Sequence, residues 1–300
     1  MHYLQTNGIR TNVADTEFAS DPVFDFSART MAEWVMQKGV TTDIVYLDST
    51  HLRQGGAEAV TDALRRARPG AVVIPDVETD ADIAIVAAGF WQAVNAGLAV
   101  ITRCAAPLAA AIAKRPGRML EPKGMKANRI LVVCGSHTTA ASRQLQGLAG
   151  RRFPVRSLPT VELLDGDPTA TNRALEKTIA AATADLNAQG IAIVATERER
   201  HTSHHTLEHG ARVMDGLIAV VAALSDHIDI IVSKGGITSA EVATRELHGI
   251  SALVRGQILT GVSLFDVNQA SGRTVRQVVV PGNVGDDDTL ATIGRFLGPR

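Results

Sequence analysis

The chain has little of several features that commonly announce a function. Only two of its 300 residues are cysteine, Cys104 and Cys134, and each ends or follows an apolar, strand-like run. Two thiols make no disulfide framework and suit a reduced, cytoplasmic protein, where buried cysteine behaves as a small hydrophobe. Charge of one sign does not accumulate either. Thirty basic and 31 acidic side chains leave a formal charge of −1. No long-range field then recruits nucleic acid or an anionic membrane, and an anionic ligand must be held by local groups. The longest apolar runs, such as 217–224, are far too short to span a bilayer. The first residues have neither the charged start nor the apolar block of a signal peptide. Three families of catalytic signature are missing too. There is no Gly-x-x-x-x-Gly-Lys-[Ser/Thr] loop, no Gly-x-Gly-x-x-Gly after a strand, and no Gly-x-Ser-x-Gly or His-Glu-x-x-His of a hydrolase.

What is there is alternation. Apolar residues make up 45% of the chain and charged residues 20%, an ordinary globular balance. Short apolar runs at 43–47, 71–77, 99–103, 130–134, 155–158, 191–196, 228–232, 252–254 and 277–280 predict strands. Most are solidly apolar, as strands covered on both faces should be. Helical patterns lie between them at 57–68, 80–95, 139–148, 168–187, 206–223, 239–247 and 287–296. Strand and helix in turn predict an α/β fold of two packed units with largely parallel sheets and a ligand cleft between them. The charged, Pro- and Gly-rich stretch from Lys114 to Lys126 divides the chain near residue 125. The first twenty-five residues carry no strand pattern and read as irregular.

In such folds ligands bind beyond the carboxyl ends of strands, and three junctions in the second half combine glycine with small hydroxyl or amide residues. After 130–134 comes Gly135-Ser-His-Thr138, whose Ser136 and Thr138 can donate hydroxyl protons or cap the next helix. After 228–232 comes Lys234-Gly-Gly-Ile-Thr-Ser239. Thr238 and Glu241 have capping-box spacing, which puts Gly235 and Gly236 just ahead of a helix start and Lys234 beside a bound phosphate. After 277–280 comes Pro281-Gly-Asn-Val-Gly285, followed by Asp286, Asp287 and Asp288, which could cap a helix or hold a hydrated Mg²⁺. A lone Gly-Ser or Gly-Gly is more often a tight turn, but three in one half are less easily dismissed. His201, His205 and His209 recur every four residues, yet a solvated loop is the default there, and no metal site is assigned.

At these junctions the sequence resembles the four-carbon acid sugar kinases, from about Thr16 to the C-terminus. Thr16-Glu-Phe-Ala19, Glu33-Trp34 and Ile101-Thr-Arg103 resemble the later part of that family's first domain. Gly135-Ser-His-Thr138 stands where the family has Gly-Ser-x-Ser, and Lys234-Gly-Gly-Ile-Thr-Ser239 where it has Gly-Gly-Glu-Thr-Ser. Gly256-Gln-Ile-Leu-Thr-Gly-Val262 and Pro281-Gly-Asn-Val-Gly285 resemble two further blocks. The resemblance implies a remainder of a sugar-acid-binding domain over 1–125 and a nucleotide-binding domain over 126–300. It implies ATP with Mg²⁺ as cofactor and ATP contacts at Ser136, Thr138, Gly235, Gly236, Ile237, Thr238, Gly282, Asn283 and Gly285. The activity implied is 4-phosphorylation of threonate, erythronate or 3-oxo-tetronate, with a small sugar acid as partner and room for a homo-oligomer. Departures accompany it. Ile237 replaces the family's glutamate, and Val280 stands where a lysine is common. The opening Asp-Asp-x-Thr-Gly-Ala motif has no counterpart, so the expectation is an N-terminally incomplete kinase, or else a non-catalytic nucleotide-binding protein derived from the fold.

Overall fold

The computed structural model describes residues 2–6, 8–21, 25–39, 43–115, 117–122, 125–149, 153–198 and 207–298. They divide into two units, Met1–Gly117 and Arg118–Arg300.

The first unit opens with an antiparallel hairpin, β1 (Tyr3–Thr6) and β2 (Ile9–Asn12), where irregular chain was expected. The Asn7-Gly8 dipeptide between them is the hairpin signal that the alternation test passed over. Helix α1 (Met31–Gln37) follows, started by a capping box between Thr30 and Glu33. A parallel pair, β3 (Ile44–Leu47) and β4 (Val72–Pro75), is linked by α2 (Ser49–Arg66). Helix α2 begins eight residues before its predicted start, because Asp48 caps it through the amides of Thr50 and His51, and it kinks at Gly56. Helix α3 (Asp80–Asn95) matches its prediction, and α4 (Ala106–Ile112) was not foreseen. The strand expected at 99–103 does not form; Ile101 is 97% exposed there. An apolar run becomes a strand only beside a partner, and β3 and β4 pair only with each other among the described residues. A small core of Leu47, Leu52, Val60 and Val86 holds the unit.

The second unit is built on one sheet. Its strands are β5 (Ile130–Cys134), β6 (Val155–Leu158), β7 (Ile191–Thr196), β8 (Ile230–Lys234), β9 (Gly249–Leu259), β10 (Val262–Gln269) and β11 (Thr274–Val280). They lie in the order β6-β7-β5-β8-β11-β10-β9. From β6 to β11 every neighbouring pair is parallel, and β10 and β9 add an antiparallel edge. The helices are α5 (Thr139–Ala149), α6 (Thr160–Leu164), α7 (Pro168–Gln189), α8 (Leu207–Ser225), α9 (Gly236–Glu241) and α10 (Thr289–Leu297), with a π turn at Val242–Glu246.

The apolar runs are explained by two-sided cover. Ile130, Val132 and Cys134 enter one cluster with Leu145 and Leu148 of α5 and Leu290, Ile293 and Leu297 of α10. Leu131 and Val133 enter another with Leu186 of α7 and Leu217 and Val221 of α8. Burying one such side chain contributes roughly 2 kcal/mol. Cys134 is buried and Cys104 exposed, both free. No described helix is long and apolar enough to cross a membrane. His201 and His205 lie outside the described residues, and His209 is on α8.

Candidate functional site

Strands β5, β8 and β11 are consecutive in the sheet and parallel, so the bends that follow them emerge side by side at one edge. These are the three glycine junctions singled out in the sequence. They touch one another. Ser136 Oγ lies 3.2 Å from Thr138 Oγ1, which in turn lies 3.5 Å from the Gly282 carbonyl. The Gly235 amide donates to Val280 O at 2.9 Å. Gly135 has no room for a side chain, since an added Cβ would come within 2.5 Å of Thr238 Oγ1.

Helix α9 starts at Gly236 with Gly235 as its N-cap, at φ 110°. The capping box expected between Thr238 and Glu241 is not made. Thr238 lies inside the first turn, 2% exposed, and Glu241 pairs with Arg245 at 3.0 Å. The start moves upstream because Gly235 reaches a positive φ and a buried network secures it. Ser239 Oγ donates to the carbonyls of Gly235 and Ser233, and Gln277 donates to Ser233 Oγ and Ser239 O. The first intrahelical bond runs from Ser239 N to Gly235 O at 3.0 Å. The amides of Gly236, Ile237 and Thr238 therefore have no intrahelical acceptor. A Cβ at Gly236 would meet nothing within 4 Å, and Ile237 is 73% exposed. Bare amides under open space can receive an anion.

The nine expected contact residues thus divide. Gly236 and Ile237 present backbone to open space, and Asn283 is exposed in the 281–285 bend. Thr138 caps α5, accepting from Ala141 N at 3.2 Å, and the Thr238 side chain is buried beneath the β5 bend. The Gly235 amide is occupied by Val280 O, so of the two glycines only Gly236 lacks an internal acceptor. Gly282 lies beside Ser136, where an added Cβ would sit 3.6 Å from the hydroxyl oxygen. Gly285 turns at φ 93° against Thr289.

Lys234 is not the surface cation the sequence suggested. It is fully buried, and its Nζ donates to Pro281 O at 2.8 Å and Val284 O at 3.2 Å. Its site on β8 explains this, since the residue still belongs to the sheet and its side chain runs beneath the bends. Burial pushes its pKa down to about 8, with the Cys134 thiol opposing weakly.

Sequence reasoning missed Arg198, two residues past β7. It donates to Ser136 O at 2.5 Å, to Thr196 O at 3.0 and 2.8 Å, and to Thr196 Oγ1 at 2.7 Å. No described carboxylate is among these partners. A charged residue just past an apolar run was the available signal, but nothing in spacing showed that β7 would adjoin β5. The aspartates after Gly285 are engaged otherwise. Asp287 pairs with Arg143 at 2.8 Å and Asp286 accepts from Thr289 Oγ1 at 2.9 Å. No cluster of three or more His, Cys, Asp or Glu among the described residues suits a metal ion.

Residues 131–290 match the family model of a nucleotide-binding C-terminal domain, and residues 1–112 that of a sugar-binding N-terminal domain. The chain belongs to the four-carbon acid sugar kinase family. Solved structures share its fold. One, a Salmonella typhimurium LT2 protein described as a candidate tRNA synthase, is 17% identical with a TM-score of 0.63, over 95% of this chain and 67% of that one. A Haemophilus influenzae protein of the DUF1537 family is 14% identical with a TM-score of 0.54, over 98% of this chain and 71% of that one. At these identities the likeness is one of fold. No curated protein matches the chain in sequence. Family membership makes the sheet of β5, β8 and β11 the core of the nucleotide-binding domain, since all three strands fall within or overlap 131–290.

Proposed function

We propose that the three adjoining bends bind ATP and that the chain serves phosphoryl transfer to the terminal hydroxyl of a four-carbon sugar acid. The carrying observation is the open first turn of α9, with acceptor-free amides at Gly236, Ile237 and Thr238 between two bends that touch it. Two cations below, Lys234 and Arg198, have no described carboxylate partner and favour a polyanion above them. These residues fit a triphosphate. Phosphoryl transfer asks mainly for positioning and charge neutralisation, and amides fixed by the Ser233–Ser239–Gln277 network supply positioning without reorganising.

The nearby carboxylates do not fit a Mg²⁺ cage, because Asp286 and Asp287 are already engaged. Magnesium would arrive with the nucleotide and be held mainly by phosphate oxygens and water. Exposed Ile237, where the family pattern has glutamate, favours a second reading, in which the site binds nucleotide without transferring phosphate. A coupled ADP-release assay on threonate, erythronate and 3-oxo-tetronates decides between them. Turnover at ordinary kinase rates of about 1–100 per second supports transfer. Nucleotide binding with no turnover on any acceptor supports the second reading.

A further inference from the structure

Beneath the three bends lies a lysine that the nucleotide reading uses only as a positive charge. Lys234 closes β8 at 0% exposure. A buried ammonium is costly unless opposite charge or good acceptors answer it. No described carboxylate does so. Two carbonyls of the 281–285 bend accept hydrogen bonds from it instead, Pro281 O and Val284 O. Val284 O also accepts from Nε2 of Gln144, a fully buried residue of α5, at 3.2 Å. The bend is therefore anchored from below at both ends, with exposed Asn283 between the anchors.

We propose that Lys234 is a positioning residue whose ammonium holds the 281–285 bend in its nucleotide-binding shape, which makes nucleotide binding proton-linked. This rests on the ATP reading above and adds to it the group that controls the shape of the site. The surrounding charges are few. From β5 comes the Cys134 thiol, which burial pushes up and so keeps protonated. Arg198, past β7, opposes that rise through its charge. Helix α5 offers uncharged Gln144, and Arg143, which is paired with Asp287. Asp286 is bound by Thr289, Asp288 is the N-cap of α10, and β11 presents Val280. Among the described residues no carboxylate accepts from the Lys234 ammonium. A polyphosphate bound above would favour the ammonium and draw a proton onto it. The triphosphate itself is fully ionised there.

The test is calorimetric titration of the intact chain with ATP–Mg²⁺ at pH 8 and 9, in two buffers of different ionisation enthalpy. Wild type, Lys234→Met and Cys134→Ser are compared. Wild type and Cys134→Ser should take up about half to one proton per nucleotide, and Lys234→Met none. Lys234→Met should also bind about tenfold more weakly at pH 7. Binding without proton uptake, or uptake that survives in Lys234→Met, overturns the inference and leaves the ATP reading standing. No binding by wild type overturns both. Should Lys234→Met fail to fold, wild type alone decides, since binding with no uptake is enough to refute the role.

Discussion

Lys234 and Val280 stand opposite each other in the parallel ladder between β8 and β11. The pairing runs one step further, as the Gly235 amide donates to Val280 O. The end of one strand thus fixes the start of the bend after its neighbour. The Lys234 side chain then reaches the carbonyls of that same bend. A second tie comes from β5, through Thr138 to Gly282. Three loops distant in sequence are cross-braced into one surface.

The first prediction concerns stability and pH. Lys234 has a folded pKa near 8 against an ordinary value of 10.5. Between those values the unfolded chain binds more protons than the folded one, so stability rises with pH across that window. Below pH 8 the fold carries the full cost of burying the charge. Urea unfolding at pH 7.5 and 10 should show wild type gaining roughly 2 kcal/mol relative to Lys234→Met. Equal pH dependence in the two proteins would show that Lys234 is not desolvated.

Gly285 is a second point of strain. Its φ is 93°, and a Cβ would overlap the Thr289 side chain. Gly285→Ala should cost about 2 kcal/mol or more in denaturant unfolding. Gly236 has neither restriction, so the same change there should cost little. Comparable losses at both glycines would contradict the local geometry.

Much of this was legible before the structure. Helix α3 and strands β5, β6 and β7 match their predicted runs, and β5 and β7 are buried along their whole length, as solidly apolar runs should be. Strand β10 escaped because its sequence, VSLFDVNQ, mixes polar residues into a strand that is only partly buried. The Thr238–Glu241 spacing looked like a capping box, but Thr238 packs against Gly135, a contact between the first turn of α9 and the bend after β5 that lies far away in sequence. The glycine bends were visible as motifs. What the sequence did not show was the order of strands that brings Arg198 to Ser136 and sends Lys234 under the sheet edge.

Arg198 carries the third prediction. It is the tie between the β7 end and the Ser136 carbonyl. Arg198→Met should weaken ATP binding by roughly ten- to a hundredfold, since charge-assisted bonds of about 1.5–3 kcal/mol are lost. The difference between the two proteins should shrink as salt is raised. Circular dichroism should show the helices intact. An affinity equal to that of wild type would make Arg198 a purely structural clasp.

The central claim is that the open first turn of α9, with the bends beside it, receives the nucleotide's phosphates. Titration of wild type and Gly236→Val with ATP–Mg²⁺, alongside their thermal unfolding, tests it most directly. The fold has space for the added side chain, because nothing lies within 4 Å of a Cβ there. Wild type should bind, and Gly236→Val should lose binding while its unfolding midpoint stays nearly unchanged. Equal affinity in the two proteins would contradict the account.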